Sequence, residues 1–101
     1  MNYTQNFEGI KLDVQAVDIN ISDRLQQAIR DMITRLKRYV SEVNWVDVYF
    51  EEKSGKSTEP RRVSVRFGVP GNDAFASDTG DDFMPLLKSV EEKLWRQLEK
   101  K

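Results

Sequence analysis

The sequence predicts an α+β domain in which two amphipathic helices lie on one face of a mixed four-stranded sheet, in the order β-α-β-β-β-α. Three observations carry that expectation. Residues 10–16, 45–51 and 62–69 alternate apolar and polar side chains, the two-residue period of a half-buried strand. Residues 22–40 and 83–98 repeat their apolar positions at three- and four-residue steps, the period of a helix with one buried stripe. All of these segments are one-sided, and one-sided elements bury their apolar faces most economically as two layers.

In chain order, residues 1–9 are polar with two isolated aromatics, Tyr3 and Phe7. They are expected to lead flexibly into one domain spanning 10–101. Ile10, Leu12, Val14 and Ala16 then alternate with Lys11, Asp13 and Gln15 as the first strand. After a short link at 17–21 comes the segment that organises the chain, 22–40. Leu25, Ala28, Ile29, Met32, Ile33, Leu36 and Val40 share its buried stripe, Ser22 is placed to cap its first turn, and Asp23 complements the positive end of its dipole. A second strand over 45–51 sets Val46, Val48 and Phe50 against Trp45, Asp47 and Tyr49.

The charge-mixed run at 51–60, with Gly55 and Pro60, is expected as an exposed, mobile hairpin loop. Val63, Val65, Phe67 and Val69 mark the third strand. Pro70 and Gly71 turn the chain back into a weaker fourth strand at 74–79, whose Ala74 and Ala76 leave room for a helix. Asp81 or Asp82 caps the last helix, Pro85 is tolerated in its first turn, and Phe83, Leu87, Val90, Leu94 and Leu98 form its stripe. A crossover helix lets the first two strands run parallel, and hairpins make the later ones antiparallel.

Composition excludes much chemistry. A chain of 101 residues builds one core, and 39% hydrophobic with 33% charged residues describes a soluble globular domain with a heavily charged surface. It has neither cysteine nor histidine, which removes disulfides, thiol nucleophiles, most zinc sites and the Ser-His-Asp mechanisms. The adjacent carboxylates Asp81-Asp82 and Glu91-Glu92 are the obvious acid–base candidates, but helical neighbours point about 100° apart. They read better as a helix cap and a solvated face. The glycines are isolated, so no phosphate-cradling loop is present. No enzyme activity, metal, cofactor or small-molecule substrate is expected. Neither a secretory apolar segment nor a membrane span is visible, so a cytoplasmic protein without a membrane partner is expected.

The net charge of -1 gives no global attraction to nucleic acid, so the placement of cations has to carry any such function. Between 22 and 39 the chain carries Arg24, Arg30, Arg35, Lys37 and Arg38 against Asp23 and Asp31. From 93 to 101 it carries Lys93, Arg96, Lys100 and Lys101 against Glu99. If the two helices run side by side in the same direction, their basic C-terminal halves form one positive patch. Such ends also arise simply as solvated faces that complement the dipole.

The segments SDRLQQAI, RLKRY and DDFMPLLKSVEEKLWRQLEK, in this element order, resemble the ribosome hibernation promoting factor family, also called ribosome-associated inhibitor or protein Y. The resemblance runs from Lys11 to Lys101 and is strongest at Ser22-Asp23 with Leu25, Arg35-Leu36 with Arg38-Tyr39, Asp81-Asp82, and Lys93-Leu94 with Arg96-Gln97-Leu98. It implies a mixed four-stranded sheet with two helices on one side, related to the double-stranded-RNA-binding fold. It also implies a stress-response role without catalysis: binding the small ribosomal subunit in the channel used by tRNA and mRNA, and so holding idle ribosomes inactive. By position it assigns ribosomal RNA contacts to Arg35, Arg38, Lys93 and Arg96, with Lys100 an addition. Arg30 and Lys37 join them from the charge pattern.

A rival surface is the sheet face that no helix covers. Trp45 and Tyr49, with Arg62 and Arg66 on the neighbouring strand and Phe75 beyond, would suit single-stranded bases or a protein partner. The segment RRVSVRFGV lacks the glycine-aromatic spacing of an RNA-recognition motif. Aromatics and arginines on such a face also shield one another in cross-strand pairs.

Overall fold

The computed structural model describes residues 1–53 and 60–100. Its elements are β1 (Asn2–Phe7), β2 (Ile10–Ala16), α1 (Asp23–Leu36), β3 (Trp45–Glu52), β4 (Arg61–Gly68), β5 (Ala74–Gly80) and α2 (Phe83–Glu99), with a 3-10 turn Lys37–Tyr39 closing α1. The sheet has five strands in the order β1-β2-β3-β4-β5, not four. β2 and β3 are parallel and every other pair is antiparallel, as the crossover helix and hairpins dictate. Residues 54–59, where the mobile loop was expected, lie outside the described residues.

The added strand is β1, which replaces the expected flexible lead. Glu8 and Gly9 both have positive φ, 52° and 84°, so they form a two-residue reversal whose twist matches paired strands. Asn6 Oδ1 accepts from the Gly9 N–H at 2.9 Å and fixes the turn. Tyr3 and Phe7 pack against the core from the same side as Gln5. With a glutamine between the two aromatics, the apolar alternation that reveals the other strands is broken here.

Alternation elsewhere sets which face is buried. Leu12, Val14, Val46, Val48, Phe50, Val63, Val65 and Phe67 are almost wholly inaccessible and meet Ile29, Met32, Ile33, Leu36, Val90, Leu94 and Leu98 from the helices. Burying each such side chain stabilises the fold by about 1.5–3 kcal/mol. The Ser22 hydroxyl accepts from the Leu25 N–H at 3.1 Å, and Asp82 rather than Asp81 caps α2 by accepting from the Met84 N–H. The α-helix ends at Leu36 instead of reaching Val40, because the chain tightens into the 3-10 turn and Val40 is already extended. Leu86 joins the α2 stripe, its side chain closing over Gly80.

The two borders of the sheet are finished differently. At β5 the Gln97 side chain donates to the Phe75 carbonyl at 2.6 Å and accepts from the Phe75 N–H at 3.0 Å, while Lys93 donates to the Ser77 carbonyl at 3.1 Å. At β1 the closing pair Phe7↔Ile10 aims the main-chain groups of Tyr3, Gln5 and Phe7 at β2, which leaves those of Asn2, Thr4 and Asn6 facing outward. That strand carries no charged side chain.

Candidate nucleic-acid interface

The two helices run side by side in the same direction. Arg35 meets Glu91 and Tyr39 meets Trp95, and the same offset of 56 positions relates both pairs. The C-terminal halves are therefore neighbours, as the charge pattern requires. The Tyr39 and Trp95 rings sit edge to face, 6.2 Å apart at 72°.

The seven cations singled out from the sequence do not form one cluster. Arg35, Arg38, Arg96 and Lys100 belong to the seam and C-terminal end of the helix pair. Arg30 and Lys37 reach toward β1: Arg30 donates to Gln5 at 3.4 Å and to Gln27 at 2.9 Å, and Lys37 donates to Glu8 at 2.6 Å. Lys93 turns the other way, to β5, where it also lies 3.7 Å from Asp78. β1 and β5 are opposite borders of the sheet, so these flanking cations are separated by the width of the helix layer.

Among the described residues, carboxylates face four of the seven. Besides the Lys37 and Lys93 pairs, Arg35 donates to both oxygens of Glu91 at 2.7 and 2.6 Å, and Arg96 pairs with Glu92 one turn away at 2.7 Å. The Glu91 hydrogen bond, outweighing partial burial, raises the Arg35 pKa above its ordinary value. Arg38 and Lys100 are exposed and make no side-chain ion pair or hydrogen bond among the described residues. Of the adjacent carboxylates, Glu91 and Glu92 are each held by an arginine, and Asp82 caps α2.

Residues outside the seven complete the seam. Tyr39 and Trp95 are 45% and 36% exposed, and with Arg35, Leu36, Lys88, Glu91 and Glu92 they line an open groove of about 550 Å³. Trp95 was legible in principle. It lies off the Leu87-Val90-Leu94-Leu98 stripe among charged neighbours, where burial does not account for so large a side chain.

On the opposite face, the cross-strand pairing expected of its aromatics and arginines is present. Arg66 stacks on Phe75 at 4.7 Å, and the Trp45 indole lies over Gly68, where a Cβ would fall 2.1 Å from the ring. Arg62 reaches Ser77 at 3.5 Å, and Tyr49 is exposed. Asp13 and Asp47 are partners in register at the middle of this face. Burial first, then the Asp13 charge, raises the Asp47 pKa, with Lys11 and Arg66 opposing. Paired carboxylates there repel a phosphate chain.

No group of three or more metal-ligating side chains and no helix long and apolar enough to cross a membrane occurs among the described residues. The chain is 23% identical over 97 residues to a ribosome hibernation promoting factor of Acinetobacter guillouiae, covering 90% of this chain and 86% of that protein. It is 29% identical over 93 residues to a ribosome hibernation promotion factor of Lactococcus lactis subsp. cremoris, of whose length the match spans about half, 49%. Among solved structures its fold is similar to the N-terminal domain of protein Y from Thermus thermophilus, with a TM-score of 0.73, 16% identity, and coverage of 91% of this chain and 97% of that one. It is also similar to a ribosomal subunit interface protein from Coxiella burnetii, with a TM-score of 0.70, 18% identity, and coverage of 88% and 93%. The family model described as Sigma 54 modulation protein / S30EA ribosomal protein matches residues 12–101, from within β2 onward, and the chain belongs to that family.

Proposed function

We propose that this chain is a ribosome-associated hibernation factor that binds the small ribosomal subunit and holds idle ribosomes inactive in the cytoplasm. Its family and the hibernation factors it resembles support the association with ribosomes. The contact is to ribosomal RNA, from Arg35, Arg38, Arg96 and Lys100 at the C-terminal end of the helix pair, with Arg30, Lys37 and Lys93 at its flanks. The single observation that carries this reading is the same-direction packing of α1 and α2, which brings arginines from distant parts of the chain to one end. The relation to the double-stranded-RNA-binding fold is part of the same proposal.

The facing carboxylates set the cost. Exposed ion pairs contribute only about 0–1 kcal/mol each, so an RNA phosphate, which accepts the same forked hydrogen bonds from arginine, exchanges with Glu91 or Glu92 at little loss. Binding is then weaker than that of an unpaired cationic surface, with a shallower salt slope, because cations already paired with carboxylates replace fewer counterions on the phosphates. The sheet face is the weaker candidate, since Trp45 and Arg66 are already committed to Gly68 and Phe75 and its centre is acidic.

The test is co-sedimentation with purified small subunits over a salt series. Reversal of Arg38, Arg96 and Lys100 to Glu together abolishes binding if the reading holds. Unchanged binding by that variant, combined with loss on Trp45→Ala and Arg66→Ala, transfers the interface to the sheet.

A further inference from the structure

We propose that the groove between the C-terminal halves of α1 and α2 receives one unstacked nucleobase of single-stranded ribosomal RNA, stacked on Trp95 with Tyr39 as the second wall. This rests on the ribosomal reading above and adds to it a contact that charge does not supply.

Two aromatics stand where a solvated helix surface has no use for them. Trp95 and Tyr39 lie on charged stretches, WRQLEK and LKRY, yet remain 36% and 45% exposed and meet each other edge to face. Their planes meet at 72°, which makes a corner. A planar base laid on one ring presents its edge to the other, the two arrangements that aromatic quadrupoles favour. The groove of about 550 Å³ is within the range of small-ligand sites.

Its surroundings select the occupant. Arg35 and Lys88 line the groove, Arg38 and Arg96 adjoin the two rings in sequence, and the acids that line it, Glu91 and Glu92, are already held by Arg35 and Arg96. The lining itself is balanced, Arg35 and Lys88 against Glu91 and Glu92, and the excess positive charge comes from Arg38 and Arg96, next in sequence to the two rings. That combination fits a base attached to a phosphate backbone, and base-on-aromatic stacking tolerates any of the four bases. A duplex is excluded, because its bases are stacked and paired and the gap between two packed helices is too narrow to admit it.

Charge and stacking are separable by salt. Affinity for small subunits is measured across salt for the unaltered protein and for Trp95→Ala, Trp95→Phe and Arg38→Ala. Trp95→Ala weakens binding roughly tenfold or more with an unchanged salt slope, because no phosphate contact is lost. Trp95→Phe retains most of the affinity, and Arg38→Ala lowers the slope instead. In a Trp45→Phe background, where Trp95 is the sole tryptophan, its fluorescence is quenched by small subunits and by single-stranded oligoadenylate but not by a blunt RNA duplex.

Wild-type affinity in Trp95→Ala with no quenching overturns the nucleobase site while the ribosomal reading stands. Quenching by subunits but never by oligonucleotides makes the occupant a ribosomal protein and overturns the assignment as well. Failure of the unaltered protein to bind subunits removes the ribosomal reading, and quenching by oligoadenylate then still supports the base site, whereas its absence ends both.

Discussion

Arg35 of α1 holds both carboxylate oxygens of Glu91 on α2, and this fork ties together the two helices that carry the proposed RNA surface. The pair is partly exposed, 52% at Arg35 and 20% at Glu91, so it contributes on the order of 1 kcal/mol to folding. Glu91→Gln is expected to leave the urea midpoint nearly unchanged while strengthening small-subunit binding and steepening its salt dependence by roughly 0.7–0.9 in the log–log slope. Weaker binding by this variant, with the fold intact, means that Arg35 is a strut between helices and makes no phosphate contact.

Gly68 is required by its neighbour. The space a Cβ would occupy is filled by the Trp45 indole, at 2.1 Å from Cε2. Gly68→Ala forces the ring off the sheet and is expected to cost about 1–3 kcal/mol in chemical denaturation, with a red shift in tryptophan emission. Ribosome binding by the folded fraction is expected to be unaffected, since the sheet face is not the proposed interface.

Two carboxylates give opposite pH behaviour. Asp47 has a raised pKa, so the folded chain binds its proton more tightly than the unfolded chain does. Its contribution is best with the proton on and is lost as pH rises from the unfolded value through the folded one. Asp47→Asn should therefore stabilise the protein at neutral pH and change little near pH 3.

Asp78 has a lowered pKa, from the Ser89 hydroxyl first, then the Thr79 N–H, with Lys93 adding and burial opposing. Its stabilisation is present above the unfolded value and lost as pH falls through the folded one. Asp78→Asn should destabilise at neutral pH and have no effect once the native carboxyl is protonated. Denaturation midpoints at the two pH values decide both cases.

Gln97 stands in for a missing strand. Its amide satisfies both main-chain groups of Phe75, so Gln97→Ala removes two hydrogen bonds at once. The expected loss is about 1–3 kcal/mol, with faster amide exchange at Phe75 than at the interior strands. Unchanged protection at Phe75 would mean that water replaces the side chain without penalty.

Most of the fold was legible because β2, β3, β4 and both helices each show a clean apolar period over seven residues or more. β1 was not, since Gln5 sits where its central apolar residue would be and its reversal uses Glu8 in place of asparagine or aspartate. For the site, the parallel course of the helices followed from topology, and so did the meeting of their C-terminal halves. What sequence could not show was which acids stand opposite the cations. Glu91 is 56 positions from Arg35, Glu8 is 29 from Lys37, and Asp78 reaches Lys93 only because β5 borders α2. Local charge counting treats all of these as unrelated.

The unequal borders of the sheet give the molecule a direction of growth. With Gln97 and Lys93 occupying main-chain groups of Phe75 and Ser77 on one side, the more open border for an extended peptide is beside Thr4 and its even-numbered neighbours, along six residues without a charged side chain. A strand added there would extend the sheet beyond β1, which lies ahead of the family's matched region, on the border opposite the one that α2 covers.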